Sequence, residues 1–151
     1  MNGVRAVVIG ASAGGVAALF EVLGALPEGF AQPVLCVLHL PDDRHSQLAE
    51  VLQRRLHRPV REARDKERIK AGQIYVAAPG YHLSVERDLS LSLSQEAPVH
   101  FSRPAIDFLF ASAADAYGEG LLGVLLTGPN EDGAQGLAYI KKCGGRTVVQ
   151  D

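Results

Sequence analysis

Three side chains in this sequence are of the types that acyl transfer needs: Ser12, His39 and Asp132. A serine hydroxyl is a poor nucleophile until a base takes its proton, and imidazole titrates near neutral pH, which suits that task. A carboxylate behind the imidazole fixes its tautomer and stabilises the imidazolium that forms. Ser12 stands in Gly10-Ala11-Ser12-Ala13-Gly14-Gly15, which matches the Gly-x-Ser-x-Gly of a nucleophile elbow in letters. Gly10, Gly14 and Gly15 permit backbone angles and close approaches closed to residues with a Cβ. The helix start that follows offers N–H groups and a positive dipole end to a developing oxyanion. Each residue alone has a plainer alternative: Ser12 as a helix N-cap, His39 as a loop histidine closing a strand, Asp132 as the cap of the helix beginning at Gly133.

Position is what sets the three apart, because each follows a strand. Val4 to Ile9 is a short apolar run closed by Gly10, and Pro33 to Leu38 and Leu121 to Leu126 are runs of the same kind. Between them lie stretches at helical spacing: Gly15 to Leu26, stopped by Pro27, and His45 to Leu56, with Ser46 near its start. Ser102 and Pro104 open a helix through Tyr117, with Pro104 as its first residue. Ala134 to Cys143 is a helix capped by Gly144 and Gly145, and Arg146 to Gln150 begins one more strand. Residues 60 to 94 are more broken, with Val60, Gln73 to Ala77, Leu83 to Val85 and Leu89 to Leu93 as short apolar pieces. There Leu89, Leu91 and Leu93 alternate with Ser90, Ser92 and Ser94, the pattern of a half-exposed strand.

Strands and helices alternate, and most strands are continuously apolar. That combination predicts an α/β fold: a doubly wound, mainly parallel sheet with helices on both faces and a short hairpin-like insertion in the middle. In such a sheet ligands bind beyond the carboxyl ends of the strands, where Ser12, His39 and Asp132 all arise.

Composition narrows the classes further. A chain of 151 residues fits one domain and buries a real core. Its formal charge of −2 and pI near 6.2 exert no overall pull toward nucleic acid or anionic membranes. Two cysteines without a CxxC offer neither a disulfide framework nor a zinc ribbon, and no apolar run reaches bilayer length. The expectation is a cytoplasmic domain with reduced thiols. Cys36, inside an apolar strand, reads as core. His57, His82 and His100 read as surface or packing residues, and the mixed-sign run Arg61 to Lys70 as a solvated face.

Three competing sites are weaker. The order Ser, His, Asp departs from the Ser, Asp, His of α/β-hydrolases. A dinucleotide site would want glycine where Ser12 stands and an acid where His39 stands, and a Walker lysine is absent. His39, Asp42, Asp43 and His45 lack a recognisable metal-ligand spacing.

Ile9 to Gly15, His39-Leu40-Pro41, and Leu126-Thr127-Gly128 with Asp132-Gly133 resemble the catalytic domain of CheB, the chemotaxis protein-glutamate methylesterase. Ala71 to Gly80 with His82-Leu83, and Ser102 to Asp107, are similar too, so the likeness runs from about Val4 to the end. It implies hydrolysis of glutamate methyl esters, and glutamine deamidation, on the cytoplasmic helices of methylated chemoreceptors. Ser12 would be the nucleophile, His39 the base and then acid, and Asp132 its orienting carboxylate, with no cofactor and no metal. It also implies one catalytic domain over residues 1–151 that lacks the family's C-terminal end and any receiver domain.

Two departures bear on activity. The family's Thr-Gly-Met-Gly-Asn-Asp-Gly reads Thr127-Gly128-Pro129-Asn130-Glu131-Asp132-Gly133 here. Pro129 has no backbone N–H; if that position donates to the oxyanion, its loss costs roughly a hundredfold in rate. Glu131 adds a negative charge beside the triad. Two alternatives therefore stand beside the esterase: an impaired module that docks on receptors or signalling partners, and a small-molecule or nucleotide binder using the Gly10 to Gly15 turn.

Overall fold

A computed structural model describes residues 3–39, 42–126 and 131–150, with Ala13 and residues 42–46 described as backbone only. In chain order the elements are β1 (Ala6–Ala11), a 3₁₀ turn (Ala13–Gly15), α1 (Val16–Gly24), β2 (Val34–Leu38), α2 (Asp42–Leu56), β3 (Val60–Glu62) and β4 (Ile74–Val76). They continue with β5 (His82–Val85), β6 (Leu91–Ser94), α3 (Ile106–Tyr117), β7 (Leu121–Leu126), α4 (Ala134–Lys142) and β8 (Arg146–Gln150).

Six strands form one sheet in the order β3-β4-β2-β1-β7-β8, every pairing parallel. The apolar runs are continuous because both faces are covered. In β1, Val7, Ile9 and Ala11 pack with Leu19 and Leu23 of α1 and with Leu48 and Leu52 of α2. Ala6 and Val8 face the opposite side, with Ile106, Leu109 and Phe110 of α3 and Ile140 of α4. The helices after β1 and β2 thus cover one face, and those flanking β7 cover the other. The winding direction reverses beside β1, which is where an open sheet of this kind leaves a crevice at its carboxyl rim.

The predicted hairpin is β5–β6, an antiparallel two-stranded sheet separate from the main one. Its Leu83, Val85 and Leu91 are buried with α3. The broken stretch before it is not part of that insertion: β3 and β4 join the main sheet. Their connection carries more than a solvated face. Arg61 donates a bidentate bond to the Glu67 carboxylate and lies over the Tyr75 ring, closing the loop on itself. Cys36 is buried in β2, and burial pushes its thiol pKa up to about 12, in keeping with a core role. Helix α3 begins at Ile106 rather than Pro104. Ala105 has extended backbone, φ −110° and ψ 141°, so the helix cannot start before Ile106.

Candidate active site

Register brings Ser12 and His39 to one rim. Ala11 of β1 pairs with Leu38 of β2 on one side and Leu126 of β7 on the other. The next residues on β1 and β2, Ser12 and His39, therefore leave the sheet at the same level, neighbouring strands being about 4.8 Å apart. The backbone ladder continues one step further, with His39 N–H donating to the Ala11 carbonyl at 2.9 Å. Ser12 and His39 are thus neighbours along the rim.

Ser12 occupies the N-cap position of the 3₁₀ turn, yet its side chain makes no capping hydrogen bond. The turn is closed by backbone instead, Gly15 N–H donating to the Ser12 carbonyl at 2.8 Å. Its φ of −78° and ψ of 173° are ordinary extended values, so the elbow's letters are present without the elbow's strain. Of the turn's glycines, Gly10 is required by space: a Cβ there would lie 2.3 Å from Ile106 Cγ2. A Cβ at Gly14 would meet nothing within 4 Å, so that position is open rather than crowded, contrary to expectation.

His39 and Asp132 are joined. His39 Nε2 lies 2.8 Å from Asp132 Oδ2, with the carboxylate fully buried and the imidazole side chain 15% exposed. Asp132 is not the cap of its own helix. Its Oδ2 accepts from Ile106 N–H at 2.6 Å and its Oδ1 from Asp107 N–H at 2.8 Å, so it caps α3. Asp107 returns the favour to α4: its Oδ1 accepts from Gly133 N–H at 3.0 Å and Gly136 N–H at 2.7 Å. Each carboxylate satisfies the free N–H groups that begin the other's helix. The exchange locks Asp132 in one orientation toward His39. It also depends on Gly133, whose φ of +113° suits glycine and where a Cβ would fall 2.6 Å from Leu125 Cδ1.

Two further residues belong to this cluster. His100 Nε2 lies 3.3 Å from Asp107 Oδ2, which is buried and has no hydrogen-bond partner among the described residues. His100 Nδ1 lies 3.6 Å from the exposed carboxylate of Glu131, so the charge that sequence set beside the triad stands against His100. Neither Asp107 nor His100 was predicted. An acid in a helix's first turn reads as a cap of that same helix, and nothing local reveals that it caps another one. His82, read as surface or packing, is fully buried, stacked on Phe108 at 4.2 Å.

Leu40, Pro41, Pro129 and Asn130 lie outside the described residues, so the predicted loss of an oxyanion donor at Pro129 falls there. The same holds for the side chains of Asp42, Asp43 and His45. Among the described residues no group of three or more His, Cys, Asp or Glu side chains is arranged to hold a metal ion. No helix among them is long and apolar enough to cross a membrane.

Comparison with known proteins identifies the family. Residues 7–151 match the model of the CheB methylesterase family. A relative from Leptospira interrogans is 46% identical over 97% of this chain and 76% of its own. One from Symbiobacterium thermophilum, named protein-glutamate methylesterase/protein-glutamine glutaminase, is 42% identical over 97% of this chain, which spans 41% of that protein. The crystal structure of the Thermotoga maritima CheB methylesterase catalytic domain superposes with a TM-score of 0.89 at 33% identity, covering 95% of this chain and 78% of that one. The chain belongs to the CheB methylesterase family of enzymes.

Proposed function

We propose that this chain hydrolyses glutamate methyl esters on the cytoplasmic helices of methylated chemoreceptors, with Ser12, His39 and Asp132 as its catalytic triad. The supporting observation is the buried His39–Asp132 pair, at the rim where Ser12 leaves β1 with its hydroxyl unused for capping. With Nε2–H directed at Asp132, the lone pair of His39 is on Nδ1, and that nitrogen takes the Ser12 proton. Ser12 Oγ attacks the ester carbon, the tetrahedral oxyanion collapses, and the C–OCH₃ bond breaks. The proton on His39 goes to the departing methoxide, which leaves as methanol. Water, deprotonated by the same imidazole, then attacks the acyl-enzyme and returns a glutamate carboxylate and free Ser12. A glutamine side chain enters the same sequence with ammonia as the leaving group.

Backbone N–H groups at the start of the 3₁₀ turn and α1 supply the field that stabilises the oxyanion. The buried Asp132 holds the imidazole and balances its charge. No step calls for a cofactor, and the setting is cytoplasmic, where the receptor helices lie. The test is methanol release from a methylated receptor fragment. The chain should release it, and Ser12→Ala should lose at least roughly a thousandfold in rate. Equal release by both proteins, or none by either, would overturn the proposal.

A further inference from the structure

Residues 99–102 form a two-residue hairpin turn, with Val99 N–H donating to Ser102 O at 3.0 Å and Ser102 N–H to Val99 O at 2.9 Å. Its central residues, His100 and Phe101, have φ of +50° and +65°. Turns of this kind select asparagine, aspartate and glycine, because a bulky side chain is crowded at positive φ. Phe101 is nevertheless there, and it is 103% exposed, the whole ring in solvent. The contrast with Leu89 is informative. Leu89 also has positive φ, but it packs against the core between β5 and β6, and that contact accounts for its residue type. Phe101 combines an unfavourable backbone with an unfavourable exposure, and among the described residues no packing contact offsets either.

The base of the turn, in contrast, is firmly held. Ala105 N–H donates to His82 Nδ1 at 3.2 Å, so Nε2 carries the hydrogen and donates to the Ala97 carbonyl at 2.9 Å. One buried imidazole therefore ties down both legs of the segment. Arg103 adds bonds to the carbonyls of Gln95 and Glu96. The tip is also joined to the catalytic cluster, since His100 faces Asp107 and Glu131, next to Asp132. A rigid pedestal carrying a bare aromatic ring beside a reaction centre is the form of a preorganised anchor: little entropy is lost when the ring is covered, and much apolar area is gained.

We propose that Phe101 is a docking residue that seats the helical protein substrate, its ring packing on an apolar strip of the receptor helix that carries the ester. This rests on the esterase reading for the nature of the substrate. The discriminating measurement is kcat/KM on a methylated receptor fragment divided by kcat/KM on a small γ-methyl glutamate ester too short to reach the turn. Phe101→Ala should lower that ratio about tenfold or more, the effect of losing an aromatic anchor. Phe101→Asn should do the same with an unchanged or higher melting temperature, since asparagine accepts positive φ; this separates docking from folding.

An unchanged ratio with methanol still released would overturn the docking role and leave the esterase standing. If the parent chain releases no methanol, the esterase falls and the readout becomes fragment affinity by fluorescence anisotropy. There, binding weakened about tenfold in Phe101→Ala retains the docking role, and equal binding or none overturns it. A Phe101-dependent dimer in sedimentation, with receptor binding unaltered, would also overturn it.

Discussion

The two rims of the sheet are unlike in a way that volume conceals. At the amino rim lie two open hollows. One, of about 620 Å³, is lined by Arg5, Tyr117, Glu119 and Arg146 among others; the second, of about 670 Å³, by Leu26, Phe30, Arg55 and Arg58. Their polar groups serve the fold. Arg5 lies over the Tyr117 ring, Arg55 over Phe20, and Arg58 donates to the carbonyls of Leu26 and Pro27. At the carboxyl rim, two buried carboxylates and an imidazole converge from three different segments, and both carboxylates accept from backbone N–H groups. Convergence of buried, oriented polar groups is what favours the carboxyl rim as the proposed site, because only groups already desolvated and fixed stabilise developing charge without reorganising.

Substitutions can break this contrast. The largest effect is expected at Asp132. Both its oxygens accept from N–H donors, so in Asp132→Asn the amide nitrogen meets a donor either way. Methanol release should fall by roughly three to four orders of magnitude, and stability by at least about 2 kcal/mol as α3 loses its cap, read by assay and chemical denaturation.

Next comes Gly10→Ala, which forces a methyl against Ile106. It should cost about 3 kcal/mol and slow turnover by shifting the α3 start that holds Asp132. Gly14→Ala, a few residues on, should stay within about 0.5 kcal/mol; equal losses at both would undo the account of this turn.

At the amino rim, Arg5→Ala should cost about 1 kcal/mol, the loss of an exposed cation–π contact, and leave methanol release as it was. A large drop in activity would mean that the hollows take part in function.

The smallest effect sharpens the comparison of carboxylates. Glu67, like Asp132, accepts from both a side chain and a backbone N–H, but its side-chain partner is a guanidinium and it sits on a half-exposed loop away from the proposed triad. Burial raises its pKa, and the bonds from Arg61 and from Arg64 N–H outweigh that, leaving it below the ordinary glutamate value. A lowered folded pKa means that the stability is present above about pH 4.5 and is lost as pH falls through the folded value. Glu67→Gln should therefore melt lower than the parent at pH 7, by an amount worth about 1 kcal/mol, and the gap should close toward pH 3. A gap independent of pH would assign the loss to packing.

Much of this was legible in the order of residues. The continuous apolar run at Leu121–Leu126 marked β7 to the residue, the start of a further strand was placed at Arg146, where β8 begins, and the Leu/Ser alternation marked the hairpin. That Ser12 and His39 leave β1 and β2 at one level followed from strand ends alone. These features rest on local periodicity and on the chemistry of single residues, which a linear chain carries in full. Tertiary structure decided the rest: that Asp132 caps α3 and Asp107 caps α4, that His100 rather than His39 meets Glu131, and that Phe101 stands bare beside them. Those relations join residues some 25 positions apart, or depend on what fails to cover a side chain. They are set by how two helices cross above one sheet, where a glycine's missing methyl lets backbones approach, and no periodicity encodes that distance.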